Sequence, residues 1–297
     1  MIPDDFLAQV QLRSQALLGR TVRLGPATLD PILRRHAYPK PVALLLGEAL
    51  LLAALVASLL KSHQRLSIQA QGEGPVPLLV AEHRAGGLLR GYARLRDGEA
   101  ERLAFAHALA PAELVGEGAL AITVDQGPDM DQVQGVVPLE GATLAACAEH
   151  YFAASEQTPT EVRLAVGESI TGAGGLWRGG GLLIQRLAGD AARGDTEEDW
   201  RRACYLFATV TPAELLAPEL GADRLLYRLF HEEGVRMGPP QPLRDDCPCE
   251  AARLVAVLSR FSPEELAEFL EPDGLVHARC QFCAREYRLA PEEIRAG

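Results

Sequence analysis

The sequence predicts an α+β fold that gives way to short helices and then to a small cysteine-bearing module, on three observations. Apolar residues recur at strand period and at helical period in turn, without regular βαβ spacing, as far as Gln185. From Asp190 onward the strand-like stretches stop and short amphipathic helices follow. Near the end, four of the six cysteines fall into two pairs, Cys247-Pro248-Cys249 and, thirty residues later, Cys280-Gln281-Phe282-Cys283. A C-x-C and a C-x-x-C offer four thiolates to one tetrahedral ion, and zinc is the soft-ligand, geometry-indifferent metal that such sets hold. The expected organisation is an α+β N-terminal domain (1–188) with a helical linker (189–237) and a small C-terminal zinc-binding module (238–297), holding one Zn2+ on Cys247, Cys249, Cys280 and Cys283.

Composition limits what those cysteines mean. A chain of 297 residues has room for one large core and does not need cysteine staples for lack of apolar area. The net charge is -11, from 40 acidic and 29 basic side chains, and no run of Lys or Arg occurs. Such a field repels nucleic acid and anionic lipid, so neither is expected as a partner. The first residues, Met1-Ile2-Pro3-Asp4-Asp5, are acidic where a secretory signal is basic, and a cytoplasmic location is expected. In a reducing compartment paired cysteines bind metal or do redox chemistry rather than form permanent disulfides.

Taken in order, Phe6 to Gln11 and Thr21 to Leu24 read as strands, and Thr28 to Arg35 as a short helix. Pro41 to Leu60 is the most apolar run, opened by a proline suited to a helix's first turn and closed by Lys61. It approaches the ~20 residues that span a bilayer. Glu48 and Gly47 at its middle favour a core helix, with the carboxylate reaching solvent or paired. Arg65 to Gln71 and Val76 to Ala81 form a hairpin around Gly72-Glu73-Gly74-Pro75; because Pro75 and Pro77 lead into a strand, this Gly-x-Gly is a turn rather than a phosphate loop. Leu88 to Ala93 is the next strand. Leu120 to Val124 and Val133 to Val137 pair across Asp125-Gln126-Gly127-Pro128, and Glu140 to Ser155 is a helix with Cys147 on its apolar face. The glycine cluster Gly172 to Gly181 reads as a loop feeding a last strand, Leu182 to Ile184.

The linker follows. Thr196 to Phe207, a helix from Pro212 and another from Gly221 to Glu232 are amphipathic but short, and must borrow stability from neighbours. Cys204 sits on the first of them as a packed residue. Gly234 to Pro242, rich in Gly and Pro, reads as a connecting segment. In the module, Arg253 to Phe261 is helical, Ser262-Pro263-Glu264-Glu265 is a capping box with proline at the first helical position, Leu275 to Arg279 and Glu286 to Leu289 are strands, and Cys280 to Cys283 is a knuckle. So short a module cannot bury a sizeable core, and a bound metal there is part of the fold.

Four thiolates leave no open coordination position, so a hydrolytic metal, and with it an enzyme, is not expected. Thiolates stay nucleophilic toward oxidants, and Arg244, Arg279 and Arg285 favour the ionised form. Oxidation removes ligands, and the module should unfold with their loss. The C-x-x-C is expected to oxidise first, because a one-residue bridge between Cys247 and Cys249 is strained. His277 is a substitute ligand of low rank. The alternative reading is a zinc ribbon with a purely structural ion that binds nucleic acid or protein. From Pro240 to Gly297, however, seven Arg face eleven Asp plus Glu, the wrong sign for nucleic acid. A thiol oxidoreductase would place its C-x-x-C at a helix start beside a βαβ unit, which is missing here.

The pattern Cys247-Pro-Cys249, thirty residues, Cys280-Gln-Phe-Cys283-Ala-Arg-Glu-Tyr287 resembles the C-terminal module of the heat shock protein 33 family, the redox-regulated chaperones. The likeness continues upstream through Leu46-Gly47-Glu48, Gln69 to Val76, Arg90-Gly91-Tyr92 and Tyr151 to Gln157. Glu250 departs from it, standing where many relatives have a small polar residue. The resemblance implies an ATP-independent holdase whose reduced, zinc-bound form is a poor chaperone. It implies that oxidation forms disulfides within Cys247/Cys249 and Cys280/Cys283, expels zinc, unfolds module and linker, and exposes a surface for unfolding client proteins. It also implies a homodimer when oxidised.

Overall fold

The computed structural model describes residues 4–13, 17–60, 64–107, 109–127, 130–171, 174–187 and 196–296. Two compact units divide the chain, Met1–Asp245 and Asp246–Gly297. The first opens with strands β1 (Phe6–Gln11) and β2 (Leu17–Leu24), helices α1 (Leu29–Arg34) and α2 (Lys40–Ala57), and strands β3 (Arg65–Gly72), β4 (Leu78–Arg84) and β5 (Leu88–Arg94). Short helices α3 (Glu99–Leu103) and α4 (Pro111–Val115) lead to β6 (Gly118–Asp125), β7 (Val133–Pro138), α5 (Leu144–Ala154), β8 (Thr160–Thr171) and β9 (Gly174–Arg186). Helices α6 (Glu197–Phe207), α7 (Pro212–Leu216) and α8 (Ala222–Phe230) follow, then two-residue strands β10 (Arg236–Met237), β11 (Gln241–Pro242) and β12 (Arg244–Asp245).

Two six-stranded sheets result. One has the order β10-β1-β2-β9-β8, with β11 also on β1, and the other β12-β5-β4-β3-β6-β7. Between them runs α2, which packs on β2, β8 and β9 of the first sheet and on β3, β4 and β5 of the second. This explains why the helix is apolar almost all round. Its mean hydropathy of 1.9 over 18 residues would suit a membrane span, but 83% of that window is buried inside the fold. Gly47 permits the closeness, since a Cβ there would meet Val166 Cγ1 at 2.8 Å. Glu48 is half-buried and makes no ion pair with any described residue.

The glycines expected to form a loop are strand instead, and the reason is helix packing on both faces of β9. Residues from Gly174 pair in register with β8, and from Gly179 with β2 as well. A Cβ on Gly179 or Gly181 would press on Leu51 or Leu55 of α2, while one on Gly180 would come within 2.3 Å of the Leu215 carbonyl in α7. Glycine's poor strand propensity yields to this close approach. Gly172 lies outside the described residues.

Helices α6, α7 and α8 form a layer on the outer face of the first sheet. Ala203, Phe207, Leu215, Leu225, Leu226, Leu229 and Phe230 share one apolar cluster with Val10, Leu17, Ala165, Leu182 and Ile184 of the strands. Arg23 of β2, 5% exposed, ties the layer down by donating to the carbonyls of Glu214, Ala217 and Leu220. Covered on both sides, β2 is buried at seven of its eight positions. The Gly- and Pro-rich stretch after α8 is paired rather than free: Arg236 and Met237 bond to Gln11 and Val10, Gln241 and Pro242 to Leu7 and Phe6, and Arg244 runs parallel to Leu88. Residues 238–245 therefore join the first unit.

The second unit comprises α9 (Ala251–Leu258), α10 (Pro263–Ala267), strands β13 (Val276–Arg279) and β14 (Glu286–Leu289), and α11 (Pro291–Ala296). Ser262 and Glu265 cap α10 reciprocally, as their spacing predicts. Its core holds four buried apolar side chains among the described residues, Leu266, Val276, Leu289 and Ile294, with Leu254, Val255 and Leu258 packed against them.

Candidate metal centre

Two backbone devices bring the cysteine pairs together. Cys247 and Cys249 lie on the extended segment before α9, where Pro248 stiffens the chain between them. Cys280 and Cys283 sit in the turn joining β13 to β14. There Cys280 N–H donates to the Arg285 carbonyl at 2.9 Å and Ala284 N–H to the Cys280 carbonyl at 2.8 Å, with Ala284 at φ 57. Arg285 Nη1 donates to the Cys249 carbonyl at 3.3 Å and so links one cysteine segment to the other.

All four sulfurs lie within 4.8 Å of one another. Cys247 Sγ is 3.8 Å from Cys280 Sγ, and Cys249 Sγ is 3.2 Å from Cys283 Sγ. Zinc bonds of ~2.3 Å in a tetrahedron require sulfurs about 3.8 Å apart, so the set has the right number, type and spacing of donors to hold a metal ion. These separations far exceed the ~2.05 Å of a disulfide, and all four residues are free thiols, half-buried.

The electrostatics of the cluster suit a cation. At Cys249 burial opposes ionisation, but the approach of the Tyr287 hydroxyl and of the thiols of Cys283, Cys247 and Cys280 outweighs it, bringing the thiol down to about 7. At Cys283 burial, then hydrogen bonding to Cys249 and Cys280, pushes the thiol up to about 12 against the pull of the Arg285 backbone. The two opposite shifts describe one charge shared by the pair, and a cation among the sulfurs would let further thiols ionise. The Tyr287 hydroxyl gives an independent sign of fit. It is buried without a well-formed hydrogen bond, beside Cys249, whose sulfur becomes a strong acceptor once it is a metal-bound thiolate.

His277 stays out of the cluster, its Nε2 lying 2.8 Å from Asp273 Oδ2. Of the three arginines expected to favour thiolates, Arg285 does so, Arg279 turns its Nε to the Ala284 carbonyl at 3.4 Å, and Arg244 belongs to the first unit. Cys147 is buried in the main core, and burial raises its thiol above the ordinary value. Burial, then Glu161, pushes Cys204 up to about 11. Cys147 is a packed residue, as its apolar surroundings in sequence suggest, whereas Cys204 is half-buried on α6. The part played by Tyr287 was not read from the sequence; the signal was its strand position four residues after Cys283, on a face that alternates inward.

Comparison with known proteins agrees with this geometry over the whole chain. The sequence model described as "Hsp33 protein" matches residues 5–290. The chain belongs to the Hsp33 family. It is similar to the "33 kDa chaperonin" of Caulobacter vibrioides, at 50% identity over 97% of this chain and 95% of that protein. It is also similar to the protein of the same name in Pseudomonas fluorescens, at 39% identity over 99% and 93%. The crystal structure of the 33 kDa chaperonin from Thermotoga maritima superimposes with a TM-score of 0.77 over 98% of this chain and 97% of that one. At 22% identity, that last likeness speaks for the Hsp33 fold alone.

Proposed function

We propose that this chain is a redox-regulated, ATP-independent holdase chaperone that binds unfolding client proteins and prevents their aggregation, in the cytoplasm, under oxidative and heat stress. The observation that carries the proposal is four sulfurs within 4.8 Å in a unit with four buried apolar side chains among its described residues, on a chain of the Hsp33 family. In that setting the cysteines are both ligands and switch.

When bound, Zn2+ supplies a four-thiolate tether that holds the module folded. Cys249, whose thiol is brought down to about 7, and Arg285 beside it keep a thiolate available to an oxidant. With a peroxide as oxidant, each cysteine pair loses two electrons, the peroxide's O–O bond breaks, and one S–S bond and two waters form as two protons are taken up. Two such steps join Cys247 to Cys249 and Cys280 to Cys283 and leave no thiolate for the metal. With its tether gone, the second unit unfolds. The layer α6–α8 follows, exposing apolar side chains of that layer and of the first sheet, and two oxidised subunits associate.

The test compares zinc content and suppression of aggregation of a heat-unfolding client before and after peroxide at raised temperature, with disulfides mapped by peptide mass. Zinc loss, linkages within the pairs and a gain in suppression are expected. Zinc retained through oxidation, or equal suppression in both states, would refute the switch. A Cys280→Ser variant should lose zinc affinity; unchanged affinity would refute the ligand role.

A further inference from the structure

A cleft of about 750 Å³ opens in the first unit between β1, the C-terminal end of α2 and the β4–β5 turn. Its walls are largely apolar, from Leu7, Ala8, Leu59, Leu60 and Leu243, and among its described lining residues there is no Asp or Glu. In a chain of net charge -11 that absence is notable. Arg20, 5% exposed, and His83, 6% exposed, reach the same cleft.

The guanidinium of Arg20 is held in place but not neutralised. Its Nε and Nη2 both donate to the Ser58 carbonyl at 3.2 Å, and its Nη1 donates to the Gly19 carbonyl at 2.8 Å. Ser58 caps α2, whose C-terminus carries roughly half a negative charge. Two of the five N–H groups of the fork find no acceptor among the described residues, and the helix end offsets the positive charge only in part. Other arginines of low exposure differ. Arg90 meets Glu82, Arg35 meets Asp245, Arg178 meets Asp4, and Arg23 feels Asp4, Glu219 and Asp223. For Arg20 burial alone acts, and no ion pair joins it to a carboxylate among the described residues. A buried charge without a carboxylate partner is costly, and a fold that retains one beside a cleft is built to receive that partner from outside. The rim is also firm, since Gly87 at φ 78 packs so tightly under Pro242 that a Cβ would come 2.1 Å from its carbonyl oxygen.

We infer that this cleft binds a small organic carboxylate with an apolar body, the carboxylate paired with Arg20 and the hydrocarbon on the leucine walls. A carboxylate matches the planar fork of the guanidinium, and the hydrocarbon is stabilised by leaving water for the leucine walls. This site is separate from the cysteine cluster, and its occupancy does not depend on the proposed redox switch.

The experiment titrates the intact reduced protein with octanoate by calorimetry, alongside octanol and inorganic phosphate. Saturable one-to-one binding of octanoate is expected, at least tenfold tighter than either control, with a rise in melting temperature. Arg20→Gln should weaken it at least tenfold. Ala85→Trp, at the exposed rim, should also weaken it while leaving the ligand-free melting temperature unchanged, which keeps the test sound if Arg20→Gln folds poorly. Octanol binding as well as octanoate, phosphate binding as well as octanoate, or octanoate affinity unchanged in both variants would overturn the assignment.

Discussion

Glu48 shows what one charged residue does inside an otherwise apolar helix. Burial between the sheets raises its carboxyl to about 7 from the ordinary 4.5. A carboxyl whose folded pKa is raised binds its proton more tightly in the folded state. Its contribution to stability is complete below pH ~4.5 and is lost as pH rises through ~7. The loss is at most about 3 kcal/mol, because Glu48 keeps some contact with water. Urea unfolding of Glu48→Gln should therefore show a smaller fall in stability between pH 5 and pH 8 than the parent, and a more stable protein at pH 8. Identical pH profiles would show that Glu48 is solvated. The carboxylate was visible in the sequence, but its lack of an ion pair was not, because that depends on both sheets. Arg20 was silent for the same reason: its distinction is the acidic neighbour it lacks.

At the scale of elements, local signals were legible and distant ones were not. Ser262 and Glu265 lie three residues apart, so their capping box can be read directly, and α10 begins where they place it. The four cysteines were equally plain, since ligand spacing is a local property of each pair. Gly179 to Gly181 misled because what demands glycine there is Leu51 on one side and Leu215 on the other, far away in sequence. Gln241 and Pro242 read as connector because their partners, Leu7 and Phe6, stand at the opposite end of the first unit's chain. The layer α6–α8 combines both cases: its amphipathic helices were evident, while its docking face on the first sheet was not. That face rests on few large side chains, among them Phe207 and Phe230, each at most 1% exposed. Phe230→Ala should cost ~3–5 kcal/mol of docking stability. Amide exchange across 197–230 should then accelerate while β3 and β4 stay protected, and the reduced variant should suppress client aggregation better than the reduced parent. Faster exchange with no gain in suppression would separate the layer from the chaperone surface.

For the whole molecule, the two units stand on different supports. The first has a core of dozens of buried residues around α2, and the second has four, plus a cysteine cluster. A structural zinc ion on those thiolates would contribute ~10 kcal/mol or more, so its removal would exceed any margin the second core can provide. Treating the reduced protein with a strong chelator is expected to abolish a separate calorimetric transition belonging to 246–297 and to leave the main transition of the sheets near its original temperature. Under the proposed function, exchange in α6–α8 should rise as well, because the signal must pass from the cysteines to that layer before a client can be held. If the chelated protein keeps the protected amides of β13 and β14, the module folds without metal, and losing thiolates to oxidation would not be enough to open it. If instead both transitions collapse together, the boundary after Asp245 is not a thermodynamic one, and the switch would reach the sheets themselves.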